Sequence, residues 1–226
     1  MSTFRKFWET KPRTDYYEYF NDFTRPTDYD TNDWTLTTTE AGGGSASEAI
    51  GNLAGGVLVV TNDAADDDAD FFQSTKEVFK FISGKALEFE ARFKISDATQ
   101  SEFIIGLAIT DTTPLDATDG IFFIKADGEA TFDFKVVKNS SASTLAGDAT
   151  TAPALTVADD TYIKVGFYYD GVDDNIQVFI NDQRVGAVAT TNAPDDEELA
   201  ITFGVQNGEA VAKILSLDYL RVVEQR

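Results

Sequence analysis

The 226-residue chain contains no cysteine and no histidine. Without cysteine, disulfide bonds and thiolate metal sites are excluded, and folding in a reducing compartment such as the cytoplasm is compatible with the sequence. Without histidine, the chain lacks the commonest general base, every Ser-His or Cys-His nucleophile and the usual zinc ligand. Any catalysis would therefore depend on carboxylates, lysine or tyrosine.

Positive charge is also scarce, because 18 Lys and Arg residues stand against 39 Asp and Glu residues. The formal net charge of -21 repels nucleic acid and anionic membranes, so we expect neither as a partner. We interpret the charge as a determinant of solubility. No segment approaches the roughly 20 apolar residues of a membrane-spanning helix, and the opening MSTFRKFWETK lacks the apolar stretch of a secretory signal.

Alternation of apolar and polar residues is the main structural signal. Residues 161–186 predict a hairpin followed by a third short strand. Leu87–Ile95 shows the purest alternation, and we expect Glu88 and Glu90 to lie on a face exposed to water. A strand is also predicted at Val78–Phe81, after an acidic loop over residues 62–70. About a dozen strands and no convincing helix predict an all-β, antiparallel sandwich.

The first residues differ from the rest of the chain. We predict an extended basic and aromatic arm over residues 1–15 and a single β-sandwich domain over residues 16–226. Large aromatic residues and arginine are enriched at interface hot spots, so the arm is a candidate partner-binding segment, the alternative being a disordered terminus. The predicted binding residues are Phe4, Arg5, Lys6, Phe7, Trp8 and Arg13.

Three segments together resemble a known family. They are YFNDF…DYDTNDW near the start, TYIKVGFYYDG…IQVFINDQRVG in the middle and ILSLDYLRVVEQ at the end. The combination is similar to the concanavalin A-like lectin/glucanase jelly roll, including its laminin-G-like relatives, over about Tyr16–Gln225. The resemblance implies a jelly-roll fold more than an activity.

Enzymes of the family that the chain resembles have characteristic catalytic residues. Its glucanases carry E-x-D-x-x-E on one strand, which places three acids on the cleft face. The nearest segment here, Glu88-Phe89-Glu90, lacks the central Asp and the third acid. Jelly-roll polysaccharide lyases use His and Tyr, and this chain has no His. We therefore predict no catalytic residues and no enzyme activity.

Two kinds of binding site stay open. The first is a carbohydrate site at exposed aromatic residues beside Asp or Asn, for which the candidates are Tyr168, Tyr169, Asp170 and Asn181. The second is calcium, which lectins of the family often bind through oxygen ligands, and the weak candidates are Asp66, Asp68, Asp173 and Asp174. The alternatives are tyrosines that pack in the domain and acidic loops that are only solvated, with no cofactor bound.

Three classes of function follow from these observations. The first is a non-enzymatic virion protein, a capsid decoration or cement protein of a tailed bacteriophage, assembled in the host cytoplasm and docked on the major capsid protein through the arm. The second is a carbohydrate-binding module or a receptor-binding tail or fibre protein of the same fold, with a glycan as partner. The third is a glycoside hydrolase or polysaccharide lyase. We favour the first class, and a homo-oligomer is compatible with it.

Overall fold

The computed structural model describes residues 13–148 and 154–226, which form fifteen strands in two antiparallel sheets. The strands are β1 (Tyr16–Asn21), β2 (Trp34–Thr39), β3 (Ser47–Ile50), β4 (Leu58–Thr61), β5 (Ala69–Ser74), β6 (Leu87–Ile95), β7 (Ser101–Ala108), β8 (Gly120–Lys125), β9 (Asp133–Lys138), β10 (Ser141–Leu145), β11 (Ile163–Tyr169), β12 (Asn175–Ile180), β13 (Gln183–Ala189), β14 (Ala200–Asn207) and β15 (Ile214–Gln225). The predicted all-β sandwich is therefore confirmed.

The two sheets have an interleaved strand order. One sheet runs β13-β12-β11-β6-β15-β4-β3, with β1 as an eighth strand beside β15, and the other runs β10-β9-β8-β7-β14-β5-β2. The first part of β15 pairs with β4, and its last part pairs with β1, from Tyr16 opposite Gln225 to Asn21 opposite Leu220. The backbone N–H of Arg226 donates to the carbonyl oxygen of Asp15, 2.8 Å away. The start of β1 and the end of β15 therefore lie side by side.

Among the described residues, helical structure is confined to single 3-10 turns and makes up about 6%. The turns are Arg13–Asp15, Pro26–Tyr29, Pro114–Asp116 and Thr190–Asn192. None of the described helices has the length and apolar character needed to cross a membrane.

The space between the sheets is filled mainly by phenylalanine. Phe72 stacks on Phe203 with ring centroids 5.0 Å apart, and Trp34 meets Phe203 edge-on at 5.1 Å. Phe89 of one sheet stacks on Phe167 of the neighbouring strand at 5.4 Å. Burial of each such side chain contributes roughly 1.5–3 kcal/mol, so the core depends on many aromatic contacts.

Two predictions about local structure are wrong. Val78–Phe81 is not a strand, because only Phe79 forms an isolated bridge, to Leu199. The acidic loop predicted up to residue 70 ends earlier, since β5 begins at Ala69. Phe71 and Phe72, which are adjacent in β5, are both buried, one on each face of the sheet.

The alternation predicted that the outer face of β6 is exposed to water, and this prediction is wrong. Glu88 is 0% exposed and Glu90 is 4% exposed. Arg221 of β15 forms ion pairs with Glu88 and, at 2.5 Å, with Glu18 of β1, while the Tyr219 hydroxyl donates to Glu90 at 2.5 Å. These partners cover the carboxylates, so an ion pair and a hydrogen bond take the place of the solvent contact that the alternation predicted.

Candidate functional site

A second apolar cluster lies on the outer face of the seven-stranded sheet. Its floor consists of Ala69, Phe71, Ile104, Ala108, Phe122 and Val137. The loop between β7 and β8 folds over this floor, and its turn Pro114–Asp116 places Leu115 against it. A side chain at Gly106 would overlap Phe122, so glycine is required where β7 meets β8. This cover explains why β7 and β8 are apolar on both faces, as predicted.

Buried polar side chains hold the two ends of the covering loop. Gln73 of β5 accepts a hydrogen bond from the Asp111 N–H at 2.9 Å and donates to the Ile109 carbonyl oxygen at 3.0 Å. Asp119 accepts a hydrogen bond from the Asn139 N–H at 2.8 Å. Gln73 and Asp119 are 2% and 5% exposed, so these bonds form away from water and fix the loop on the sheet.

Three adjoining hollows surround Leu115 and Asp116, and we call them together the groove. Their volumes are about 270, 240 and 210 Å³. The first is lined also by Glu102, Ile124 and Lys135, the second by Thr39, Phe71, Glu102 and Gln206, and the third by Phe122, Val137 and Ser140. The groove thus combines an apolar floor with a rim of hydroxyl, amide and carboxylate groups, a composition typical of ligand sites.

The charges of the groove are mainly acidic. Burial raises the pKa of Glu102, and the nearby carboxylates of Asp127 and Asp67 raise it further. Lys125 does not neutralise Glu102 by contact, because its ammonium group donates to the carbonyl oxygens of Thr99, Ser101 and Ala126. The groove therefore favours neutral or cationic ligands over anionic ones.

The carboxylates of the groove do not form the glucanase arrangement. The sequence contains no E-x-D-x-x-E. Among the described strands that line the groove, β7 presents Glu102 and β9 presents Asp133, while β8 presents Phe122 and Ile124 to the outside. Glycoside hydrolysis by a carboxylate pair needs two acids at a fixed separation across the bound sugar. We find no strand here that supplies such a set.

The predicted carbohydrate-binding tyrosines lie on opposite faces of β11. Tyr169 points into the core, is 4% exposed and packs on Phe81 at 4.6 Å, so its ring is not accessible to a sugar and this prediction is corrected. Tyr168 lies on the outer face of the eight-stranded sheet, where burial raises the pKa of its hydroxyl. The two tyrosines therefore cannot form one binding surface.

Asp170 and Asn181 lie at opposite ends of the hairpin. Asp170 follows β11 and accepts hydrogen bonds from the N–H groups of Val172 and Asp173, at 2.8 and 2.9 Å. Asn181 follows β12 with a φ of 49°, and its side-chain oxygen accepts a hydrogen bond from the Lys164 N–H at 3.0 Å. Both residues stabilise turns, and neither lies in the groove.

The calcium candidates are also separated. Asp66, Asp173 and Asp174 are exposed, whereas Asp68 is 1% exposed and accepts hydrogen bonds from the N–H groups of Ala41 and Ala65. Within the described ranges, no three acidic side chains come together in an arrangement suited to a metal ion.

The predicted arm lies almost entirely outside the described residues. This applies to Phe4, Arg5, Lys6, Phe7 and Trp8. Arg13 is the first described residue, at the start of the turn that leads into β1. The arm therefore joins the sandwich beside the end of β15.

Comparisons with solved structures identify the fold. A protein of unknown function from Shewanella oneidensis MR-1 matches with 17% identity over 93% of this chain and 87% of that chain, with a TM-score of 0.62. An endo-1,3-beta-glucanase from Streptomyces sioyaensis matches with 12% identity over 95% and 98%, also with a TM-score of 0.62. The chain has the concanavalin A-like jelly-roll fold.

The same fold occurs in proteins with different functions. The carbohydrate recognition domain of Emp46p, in its potassium-bound form, matches with 9% identity over 88% of this chain and 91% of that chain, with a TM-score of 0.57. No protein-family model matches the sequence, and no curated protein matches it either. At these identities the likeness establishes the fold, which glucanases and lectins share.

Proposed function

We propose that the protein is a non-enzymatic structural protein of a tailed-bacteriophage virion, a decoration or cement protein that docks on the capsid surface through residues 1–13. The observation that carries this proposal is the contrast between a basic, aromatic first segment and a body with a strong negative charge. A non-catalytic role is supported by the contacts of Glu88 and Glu90, because Glu88 forms an ion pair with Arg221 and Glu90 accepts a hydrogen bond from the Tyr219 hydroxyl. The partner would be the major capsid protein or another virion protein.

Docking through the arm would use both aromatic and basic side chains. Phe4, Phe7 and Trp8 would bury apolar area in the partner, and Arg5, Lys6 and Arg13 would pair with its acidic groups. Burial of three aromatic side chains of 150–250 Å² each, at about 25 cal/mol per Å², could supply several kcal/mol before ordering costs. Salt would slow association more than it would weaken the aromatic contacts.

A binding assay on capsids stripped of this protein tests the proposal. Deletion of residues 1–13 leaves all fifteen described strands in place, so the truncated domain should keep its melting temperature and lose attachment. Trp8→Ala should weaken attachment strongly. The matched control is Phe20→Ala, which removes an aromatic ring that is 54% exposed on β1. Unchanged binding after truncation would refute docking through the arm.

A second candidate function is glycan binding in the groove. The observation that favours it is the apolar floor bordered by Thr39, Gln206 and Glu102. Titration with neutral β-glucan oligosaccharides tests it. Leu115→Glu should abolish binding, because the change places a charge at the centre of the groove, whereas Tyr168→Ala, on the other sheet, should leave binding unchanged. The opposite pattern would move the carbohydrate site to the eight-stranded sheet.

A further inference from the structure

Two buried side-chain oxygens lack a hydrogen-bond partner, and they are the only such atoms in the described part of the chain. They are Oδ1 of Asn62, after β4, and Oδ2 of Asp70, in β5. Asn62 is 2% exposed and Asp70 is 0% exposed. Since nearly all buried polar atoms are paired, each exception calls for a water or an ion.

The contacts of the two side chains place both of them near the start of β5. The Asn62 side-chain NH₂ donates to the carbonyl oxygens of Asp68, at 2.8 Å, and Val205, at 3.0 Å. Val205 is the cross-strand neighbour of Asp70. The other Asp70 oxygen, Oδ1, accepts a hydrogen bond from the Thr38 hydroxyl at 2.7 Å. The Asn62 side-chain nitrogen therefore already has acceptors, and the two atoms without a partner, Asn62 Oδ1 and Asp70 Oδ2, are both acceptors.

The charges that act most strongly on Asp70 are negative. They belong to Glu48 of β3, Glu40 and Asp68. Neither Asp70 nor any of these three acids forms an ion pair with a Lys or Arg of the described residues. Burial raises the pKa of Asp70 to about 6 despite the bond from Thr38, and the neighbouring acids add to the rise. A buried carboxylate of this kind is normally paired or bound to a metal ion.

We propose that Asn62 and Asp70 bind a hard cation between the two sheets, through the free amide and carboxylate oxygens, with water completing the shell. Ca²⁺, Na⁺ and K⁺ prefer such oxygen ligands. Water alone could donate to these oxygens, but it would leave the buried negative charge of Asp70 without a counter-charge. The site differs from the exposed loop positions Asp66, Asp173 and Asp174, and it does not depend on the proposed function.

Thermal unfolding at pH 8 tests this site in protein freed of metal with a chelator. The melting temperature is measured in NaCl, KCl and choline chloride at equal ionic strength, and with CaCl₂ or MgCl₂ added at matched ionic strength. We expect at least one of the small cations to raise the melting temperature above the choline value by several degrees, since a ligand of the folded state stabilises it. Isothermal titration of the wild-type protein with that cation gives the affinity directly.

Two variants separate the site from general screening of the acidic surface. Asp70→Asn should abolish the cation-specific shift, while Asp66→Asn, which makes the same charge change at an exposed position, should keep it. Should Asp70→Asn fail to fold, Glu48→Gln provides the second test and should weaken the titrated affinity by about ten-fold. Equal melting temperatures in all salts, or a shift that survives in Asp70→Asn, would overturn the proposal.

Discussion

Replacement of Arg221 by methionine provides a quantitative test of the ion pairs on the eight-stranded sheet. Arg221 lies between Glu18 of β1 and Glu88 of β6 and bonds to both. Methionine keeps much of the length and apolar area of the arginine stem but removes the charge. In this variant Glu88, which is 0% exposed, would lose the guanidinium that pairs with it.

The cost follows from the burial of the two partners. Removing one member of a buried ion pair typically costs about 3–5 kcal/mol, because the other charge stays buried without compensation. The pair with Glu18 adds less, roughly up to 1 kcal/mol, because the Glu18 side chain is 30% exposed. For a chain of this size, a loss of 3–5 kcal/mol corresponds to a decrease of about 6–20 °C in melting temperature.

Urea unfolding measured by tryptophan fluorescence gives the free energy of unfolding. Trp34 is 2% exposed and packs on Phe72 and Phe203, so its emission reports loss of the core. The double variant Arg221→Met, Glu88→Gln should recover most of the loss, since it removes the buried charge that the single variant leaves behind.

The matched control is Lys94→Met on the same sheet. Lys94 pairs at 2.9 Å with Asp160, whose side chain is 69% exposed, so its loss should cost under about 1 kcal/mol. A cost below about 1 kcal/mol for Arg221→Met would refute the reasoning, because Glu88 would then not depend on Arg221. A double variant no more stable than the single variant would do the same.

Further predictions concern pH, the core and catalysis. Burial tends to raise the pKa of Asp97, but hydrogen bonds from backbone N–H groups and Lys213 outweigh it and hold the pKa well below 3.8, so this contribution to stability is lost as the pH falls below 3.8. Acid unfolding of Asp97→Asn should accordingly depend less on pH. Phe203→Ala should cost about 3–5 kcal/mol in urea unfolding. Laminarin should release no reducing ends, and release that Glu102→Gln abolishes would contradict the non-enzymatic assignment.

The sequence predicted the fold well where the pattern was local. The hairpin of β11 and β12 and the whole of β6 follow from alternation over adjacent residues. The start of β5 was not predicted, because the adjacent Phe71 and Phe72 are buried on opposite faces and such a strand shows no alternation. Val78–Phe81 has strand-like composition, yet it lies where only a single bridge forms.

The chemistry of the surfaces was less accessible to sequence reasoning. Glu88 looked solvated because Arg221, which covers it, lies 133 positions away in the chain. The groove depends on the loop that brings Leu115 and Asp116 over β8, and its anchor Gln73 carries no motif. Gln73 lies between Phe72 and Ser74, so its neighbours in the sequence do not mark it as buried, and its partners are set by the tertiary fold.

The length of β15 gives the domain a fixed span. Its 12 residues extend along the eight-stranded sheet for up to about 36 Å at 3.3 Å per residue, with one register shift against β6 between Leu217 and Tyr219. The junction with residues 1–15 lies at one end, and the turn between β14 and β15 lies at the other. If the protein docks as proposed, the Gly208–Lys213 turn would lie at the end of β15 away from the docking segment. Peptides inserted in that turn would be presented well clear of the attached surface.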